Sequence, residues 1–252
     1  MNSLETSLRT RRDRGDKSFV PYLMAGMVPD WLDHIDALVA AGATAVEVGI
    51  PFSDPILDGV VIQRASLASL SAGNTPEGIL AELGRRSVGV PLVVMTYFNI
   101  IHHLGLERSA HLLCAGGVSG VILPDLTLEE AGPWRNVAHG SGLDTVLLVA
   151  PSSPEPRIEK IAAHAEGFVY AASRMAVTGR ADDDGHAAAV VERVRRYSDL
   201  PVFVGIGVST PQQAREAYEF ADGAIVGSAL VERVLGGMTP TQTEQFARDF
   251  VL

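Results

Sequence analysis

Eight short apolar runs, each followed by a stretch of helical pattern, constrain this chain more than any other feature. They lie at 19–24, 44–50, 91–96, 120–123, 144–149, 168–171, 201–204 and 223–226. Apolar residues run through them almost unbroken instead of alternating with polar ones. Such runs suit parallel strands buried on both faces. Helical periodicity fills the intervals, at 2–12 (Leu4 and Leu8 on one face), 30–41, 61–72, 107–115, 155–164, 186–197, 211–219, 229–235 and 240–250. Thr75-Pro76-Glu77 opens a further helix, with Thr as cap and Pro at the first position. Thr127-Leu128-Glu129-Glu130 opens another with a capping-like pattern. Tyr97-Phe98-Asn99 reads as a polar and aromatic end of the third strand. Eight strand–helix units in 252 residues predict an α/β fold: a single (β/α)8 barrel with an extra N-terminal helix, one domain over 1–252. An open, doubly wound sheet is the second reading. Length and the lack of a Gly-rich fingerprint after the first strand weigh against it.

A barrel brings the C-terminal ends of its strands to one mouth. The second run there carries a lone carboxylate, Glu47, among apolar β-formers, and the Pro- and Gly-rich loop after it carries another, Asp58. An acid inside an apolar strand is costly unless it is paired or working. The stretch therefore reads as a catalytic arm with one rigid, desolvated acid and one loop acid. A structural hydrogen bond for Glu47 and a turn-forming role for Asp58 are the alternative. Tyr97, Asp125, Tyr170 and the loop 173–185 converge on the same mouth. That loop is long, polar and Gly-punctuated, with no core periodicity, and is a candidate lid. After the last two strands come Gly205-Ile206-Gly207-Val208-Ser209 and Gly227-Ser228, each at a helix start. Glycine admits close backbone approach, and a helix N-terminus favours an anion. Two such turns side by side form the phosphate site common in this fold, so the substrate reads as a small phosphate ester. Tight-turn chemistry alone is the plainer account of those glycines.

Composition narrows the classes. The 47% hydrophobic content supplies a large core, and a net charge of −10 without a basic cluster argues against nucleic acid or an anionic membrane as partner. One cysteine, Cys114, precludes an internal disulfide and argues against Cys-based zinc; its setting, Leu112-Leu113-Cys114-Ala115, reads as an inert core thiol. The N-terminus is no signal peptide, and no apolar run approaches the roughly 18 residues of a membrane span. A soluble, cytoplasmic protein is expected. No metal constellation stands out: His102 and His103 are adjacent and diverge, which suits the surface, and Asp182-Asp183-Asp184 suits a solvated loop. No Lys sits near a core strand end for Schiff-base chemistry, and no nucleophile elbow is visible.

The residues resemble one family over essentially the whole chain, the α subunit of tryptophan synthase. The most specific piece is Glu47-Val48-Gly49-Ile50-Pro51-Phe52-Ser53-Asp54-Pro55-Ile56-Leu57-Asp58-Gly59-Val60-Val61-Ile62-Gln63. Supporting pieces are Phe19-Val20-Pro21-Tyr22, Met95-Thr96-Tyr97-Phe98-Asn99, Pro124-Asp125, Tyr170 with Ser173-Arg174, Val177-Thr178-Gly179 and the two phosphate turns. The resemblance implies a carbon–carbon lyase that reversibly cleaves indole-3-glycerol phosphate to indole and glyceraldehyde 3-phosphate in tryptophan biosynthesis. It implies that Glu47 and Asp58 are catalytic. Tyr22, Ile62, Met95, Leu123 and Ile206 would line the indole pocket, and Tyr97, Asp125, Tyr170 and Thr178 would shape the site. Gly179, Gly205, Gly207, Gly227 and Ser228 would cradle phosphate. It also implies an α2β2 assembly with a pyridoxal-phosphate-bearing β subunit, this chain holding no cofactor. A stand-alone lyase and a non-catalytic activator of a β subunit are the alternatives; retention of both acids and of the phosphate turns argues against the second. Another phosphate-binding barrel, a sugar-phosphate epimerase, would call for metal ligands at several strand ends. The chain departs from the family at Met27, where a loop acid is usual, and at Met175-Ala176 in the lid. It also departs at Ile206, Val60 and Ile100.

Overall fold

The computed structural model describes residues 4–172, 185–205 and 207–252. Eight parallel strands close into a barrel in sequence order, β8 pairing with β1. They are β1 (Ser18–Met24), β2 (Val46–Gly49), β3 (Leu92–Met95), β4 (Val118–Ile122), β5 (Asp144–Val149), β6 (Val169–Ala172), β7 (Val202–Gly205) and β8 (Gly223–Val226). The expected barrel is therefore the observed one. Alternate residues point inward, as the strand period of two requires. Val20, Ala45, Val93, Ile122, Val146, Phe168, Phe203 and Ile225 fill the interior. Their neighbours in sequence, such as Val46, Val48, Val94 and Val121, face the surrounding helices in a separate outer core.

The N-terminal helix α1 (Leu4–Asp13) plugs the floor of the barrel: Leu4 and Leu8 join the inner cluster. Leu4 lies so close to the starts of two strands that a Cβ on Gly120 or Gly167 would come within 2.6 or 2.9 Å of its Cδ2. Asp144 accepts the Glu5 N–H at 2.9 Å and ties α1 in place.

The outer helices are α2 (Trp31–Ala40), α3 (Val60–Ser71), α4 (Pro76–Leu83), α5 (Phe98–Leu104), α6 (Leu106–Ala115), α7 (Gly132–Gly140), α8 (Glu155–His164), α9 (Gly185–Arg195), α10 (Pro211–Phe220), α11 (Ser228–Leu235) and α12 (Pro240–Arg248). Thr75 caps α4 by accepting the Gly78 N–H, as its sequence predicts. Three expectations change. Phe98 begins a helix instead of ending a strand, and Asp125, just past the neighbouring strand β4, accepts its N–H. Thr127 does not open α7: residues 127–131 close a separate turn, Ala131 N–H to Thr127 O at 2.9 Å, and the helix begins at Gly132 with Pro133 in its first turn. Proline is tolerated there, but deeper in a helix it would clash with the preceding turn. Cys114 is exposed, not core. Helix α6 buries Ser109, Ala110 and Leu113, and the next residue is rotated outward. His102 and His103 are exposed, as expected. No helix among the described residues is long and apolar enough to cross a membrane.

Candidate active site

Glu47 sits in register with Tyr22 of β1 and Val93 of β3. Its parity with Ala45 turns the side chain into the barrel, above the apolar interior layer. It is 1% exposed, and its Oε2 finds no hydrogen-bond partner among the described residues. Burial alone pushes its carboxyl up to about 8, so the group is mostly protonated at neutral pH. Two phenols share this level. Tyr22 and Tyr170 are both buried, and burial, reinforced by the Glu47 charge, holds each hydroxyl well above its ordinary range; Asp58 adds to the effect on Tyr22. Each phenol lies across a glycine of the adjoining strand. A Cβ at Gly49 would stand 2.1 Å from the Tyr22 hydroxyl, and one at Gly205 2.1 Å from that of Tyr170. Only glycine leaves room there, and for Gly205 this packing is a role distinct from turn formation.

Asp58 arrives on the loop between β2 and α3 and is half-buried. Burial pushes its carboxyl up to about 6, while the Tyr97 hydroxyl, hydrogen-bonded to it, pulls the other way. Asp58 thus remains mostly ionised at pH 7 while Glu47 does not. Tyr97 stands at the N-cap of α5, accepts the Leu57 N–H at 3.0 Å and stacks on Phe52 at 4.8 Å. Burial and the Asp58 charge push its own hydroxyl up to about 12. At the other end of the loop, the Ser66 hydroxyl of α3 accepts the Phe52 N–H at 2.9 Å and donates to the Phe52 carbonyl at 2.8 Å. Sequence reading missed Ser66 as the staple of this loop; a serine on the buried face of an apolar helix was the available signal.

The remaining predicted residues separate by place. Ile62 in the first turn of α3 and Leu123 just beyond β4 are buried, and Met95 at the end of β3 is half-buried against the inner cluster. Asp125 is exposed and holds the Phe98 N–H with both oxygens, at 2.9 and 3.0 Å. Gly207 has φ +131°, a conformation that favours glycine. Gly227 and Ser228 start α11. The two proposed anion turns differ. At α10, Gln213 Oε1 accepts the Ser209 and Thr210 N–H groups, and Thr210 caps Gln213 in return. At α11, Gly227 gives no side-chain cap, so the more open helix N-terminus is the one at Ser228. Thr178, Gly179, Ile206 and, of the candidate lid over 173–185, residues 173–184 with Met175-Ala176 lie outside the described residues. Met27, where the family usually has an acid, is buried in the outer core.

Comparison with known proteins fits this geometry. The family described as tryptophan synthase alpha chain matches residues 8–250. The tryptophan synthase alpha chain of Thermobifida fusca is 42% identical, over 99% of this chain and 95% of its own. That of Streptomyces coelicolor is 44% identical, over 92% and 88%. Among solved structures, tryptophan synthase of Mycobacterium tuberculosis superposes with a TM-score of 0.91 at 37% identity, over 98% of this chain and 96% of that one. The alpha subunit from Legionella pneumophila gives 0.89 at 31% identity, over 99% and 97%. A closed barrel with two acids at one mouth, matched from end to end, places this chain in the tryptophan synthase alpha chain family.

Proposed function

We propose that this chain cleaves indole-3-glycerol phosphate to indole and glyceraldehyde 3-phosphate, the lyase step of tryptophan biosynthesis, using Glu47 and Asp58. The bond that breaks joins indole C3 to the hydroxyl-bearing carbon of the glycerol chain. A proton must be added at C3, which makes the ring an indolenine. Another must leave the hydroxyl, whose carbon becomes the aldehyde as the bonding electrons return to the ring. Protonated Glu47 donates the first and, once ionised, accepts the second, so one buried group serves both steps. Positive charge develops on the ring nitrogen in between. Ionised Asp58 accepts the hydrogen bond of that N–H and stabilises the charge.

Tyr22, Ile62, Met95 and Leu123 supply the apolar walls for the ring, and Tyr97, Asp125 and Tyr170 shape the mouth around them. The phosphate belongs at the N-terminus of α11, at Gly227 and Ser228, beside the Gly205–Gly207 turn. The observation that carries the reading is Glu47: a carboxyl buried inside the barrel that has, among the described residues, an unpartnered oxygen and no cation to pair with. A structural carboxylate would have neither property.

The family works with a β subunit, and we assign this chain to an α2β2 assembly in which the pyridoxal-phosphate-dependent partner consumes the indole. An apolar rim beside the Asp58 loop supports that assignment: Ile56, Val60 and Leu67 are 79%, 68% and 65% exposed, with Leu57 between them also exposed. The test is indole release from indole-3-glycerol phosphate by the purified chain, with and without a β subunit. Slow release that rises sharply with the partner is expected. Fast release that ignores the partner would remove the assembly from the reading, and no release under either condition would remove the reaction.

A further inference from the structure

Asp58 reaches the mouth on a loop with no regular structure of its own, so something outside the loop must hold it. Ser66 fixes the beginning of the loop at Phe52. The end that carries the acid is held from two sides: the Gln63 side-chain amide of α3 donates to the Asp58 backbone carbonyl at 2.8 Å, and Tyr97 reaches the loop on the side of the Asp58 carboxyl. The Tyr97 hydroxyl accepts the Leu57 N–H at 3.0 Å and stands close enough to the Asp58 carboxyl to donate to it, and the Tyr97 ring lies 4.8 Å from that of Phe52. Tyr97 is held in turn: it is the N-cap of α5, and Asp125 takes the very next amide, Phe98. We propose that Tyr97 is a positioning residue for Asp58, a strut that carries the rigidity of the β3 end and the α5 N-terminus across to the loop acid. The proposal rests on the reading of Asp58 as the acid that meets the indole N–H.

A phenol can accept and donate at once. Accepting an amide polarises its O–H and strengthens the bond it donates. Donation to a carboxylate favours the ionised form and so opposes burial. The groups that face Asp58 are Tyr97 from the end of β3 and Tyr22 from β1. Glu47 from β2 bears on Tyr22, and Asp125 from the loop after β4 bears on Tyr97. Among the described residues, Tyr97 alone counteracts the burial of Asp58. The hydroxyl therefore serves two ends, holding the acid in place and keeping it charged.

The test is Tyr97→Phe, which keeps the ring and its stack on Phe52 and removes the hydroxyl alone. The kcat/KM for indole release at pH 6.5 is expected to fall by roughly tenfold or more, the scale of a lost hydrogen bond to a charged group. The acid limb of the pH profile should move to higher pH. The Asp58 carboxyl, followed by carbon NMR in the ligand-free protein, should titrate at higher pH as well. Superimposable limbs and titrations in the two proteins would overturn the proposal. A double-mutant cycle gives a second reading: in an Asp58→Asn background, Tyr97→Phe should cost little more, whereas fully additive losses would show the two side chains acting separately. Full turnover in Asp58→Asn would instead count against the catalytic role of Asp58, and the carboxyl titration would still report on the strut.

Discussion

Among the described residues Glu47 has neither cation nor hydrogen-bond donor to favour its charge, so burial decides its protonation; Asp58 is less buried and has the Tyr97 hydroxyl. Their carboxyls sit near 8 and near 6, and the proposed chemistry needs the first protonated and the second ionised. The pH dependence of kcat/KM should therefore be a bell, with its acid limb near 6 and its alkaline limb near 8. A profile flat from pH 5 to 9 would detach both groups from the rate. Glu47→Gln and Asp58→Asn should each lower turnover more than about a hundredfold, the usual range for loss of acid–base or charge-stabilising groups. Glu47 also bears on stability. Its folded value lies above its free value of 4.5, so its contribution is greatest below about pH 4.5 and is lost as pH rises through 8. Urea unfolding should show wild type losing on the order of a few kcal/mol between pH 5 and 9, a loss that Glu47→Gln removes. A parallel loss in the variant would mean that other groups cause it.

Elements explain why two similar Gly-containing turns are not equivalent. The capping box of α10 uses its own first donors, whereas α11 begins at Ser228 without a side-chain cap. Ser228→Asp places a negative charge against the proposed phosphate and should raise KM by roughly tenfold or more with a smaller effect on kcat. An unchanged KM would move the phosphate elsewhere. Local chemistry made much of this level legible. The strands stood out because residues such as Val46, Val48, Val93 and Val94 are buried on both faces of each run, and α4 because Thr75 and Pro76 are adjacent to it. Helix α5 did not stand out, since the group that accepts its first amide is the Asp125 carboxylate, 27 residues from Phe98. The Thr127 pattern misled because Pro133 limits where the helix can begin. Cys114 looked internal in an apolar run, but α6 turns only one face inward, and Leu113 occupies it. Within the site, the acids could be read as lone charges in apolar or Pro-rich settings. The strut from Tyr97 to Leu57 could not, because it joins a strand end to a backbone amide 40 residues away.

Across the whole molecule the barrel divides its tasks by end. The floor is closed by α1, with Leu8 buried at 1% exposure inside the inner cluster, whereas the acids, the phenols and the proposed phosphate turn gather at the opposite mouth. Barrel folds separate stability from chemistry in this way because active sites form at the C-terminal ends of the strands. The arrangement gives an opposed pair of expectations. Leu8→Ala leaves a cavity in the floor and should cost about 2–5 kcal/mol of unfolding free energy. Its KM and both limbs of its pH profile should match wild type well below the melting temperature, since no mouth residue moves. Tyr97→Phe should show the reverse, a nearly unchanged melt with a displaced acid limb. If Leu8→Ala displaced the limbs as well, floor and mouth would be one mechanical unit. The ionisation of Asp58 would then depend on the closure of the barrel as a whole, and not on the strut that touches it.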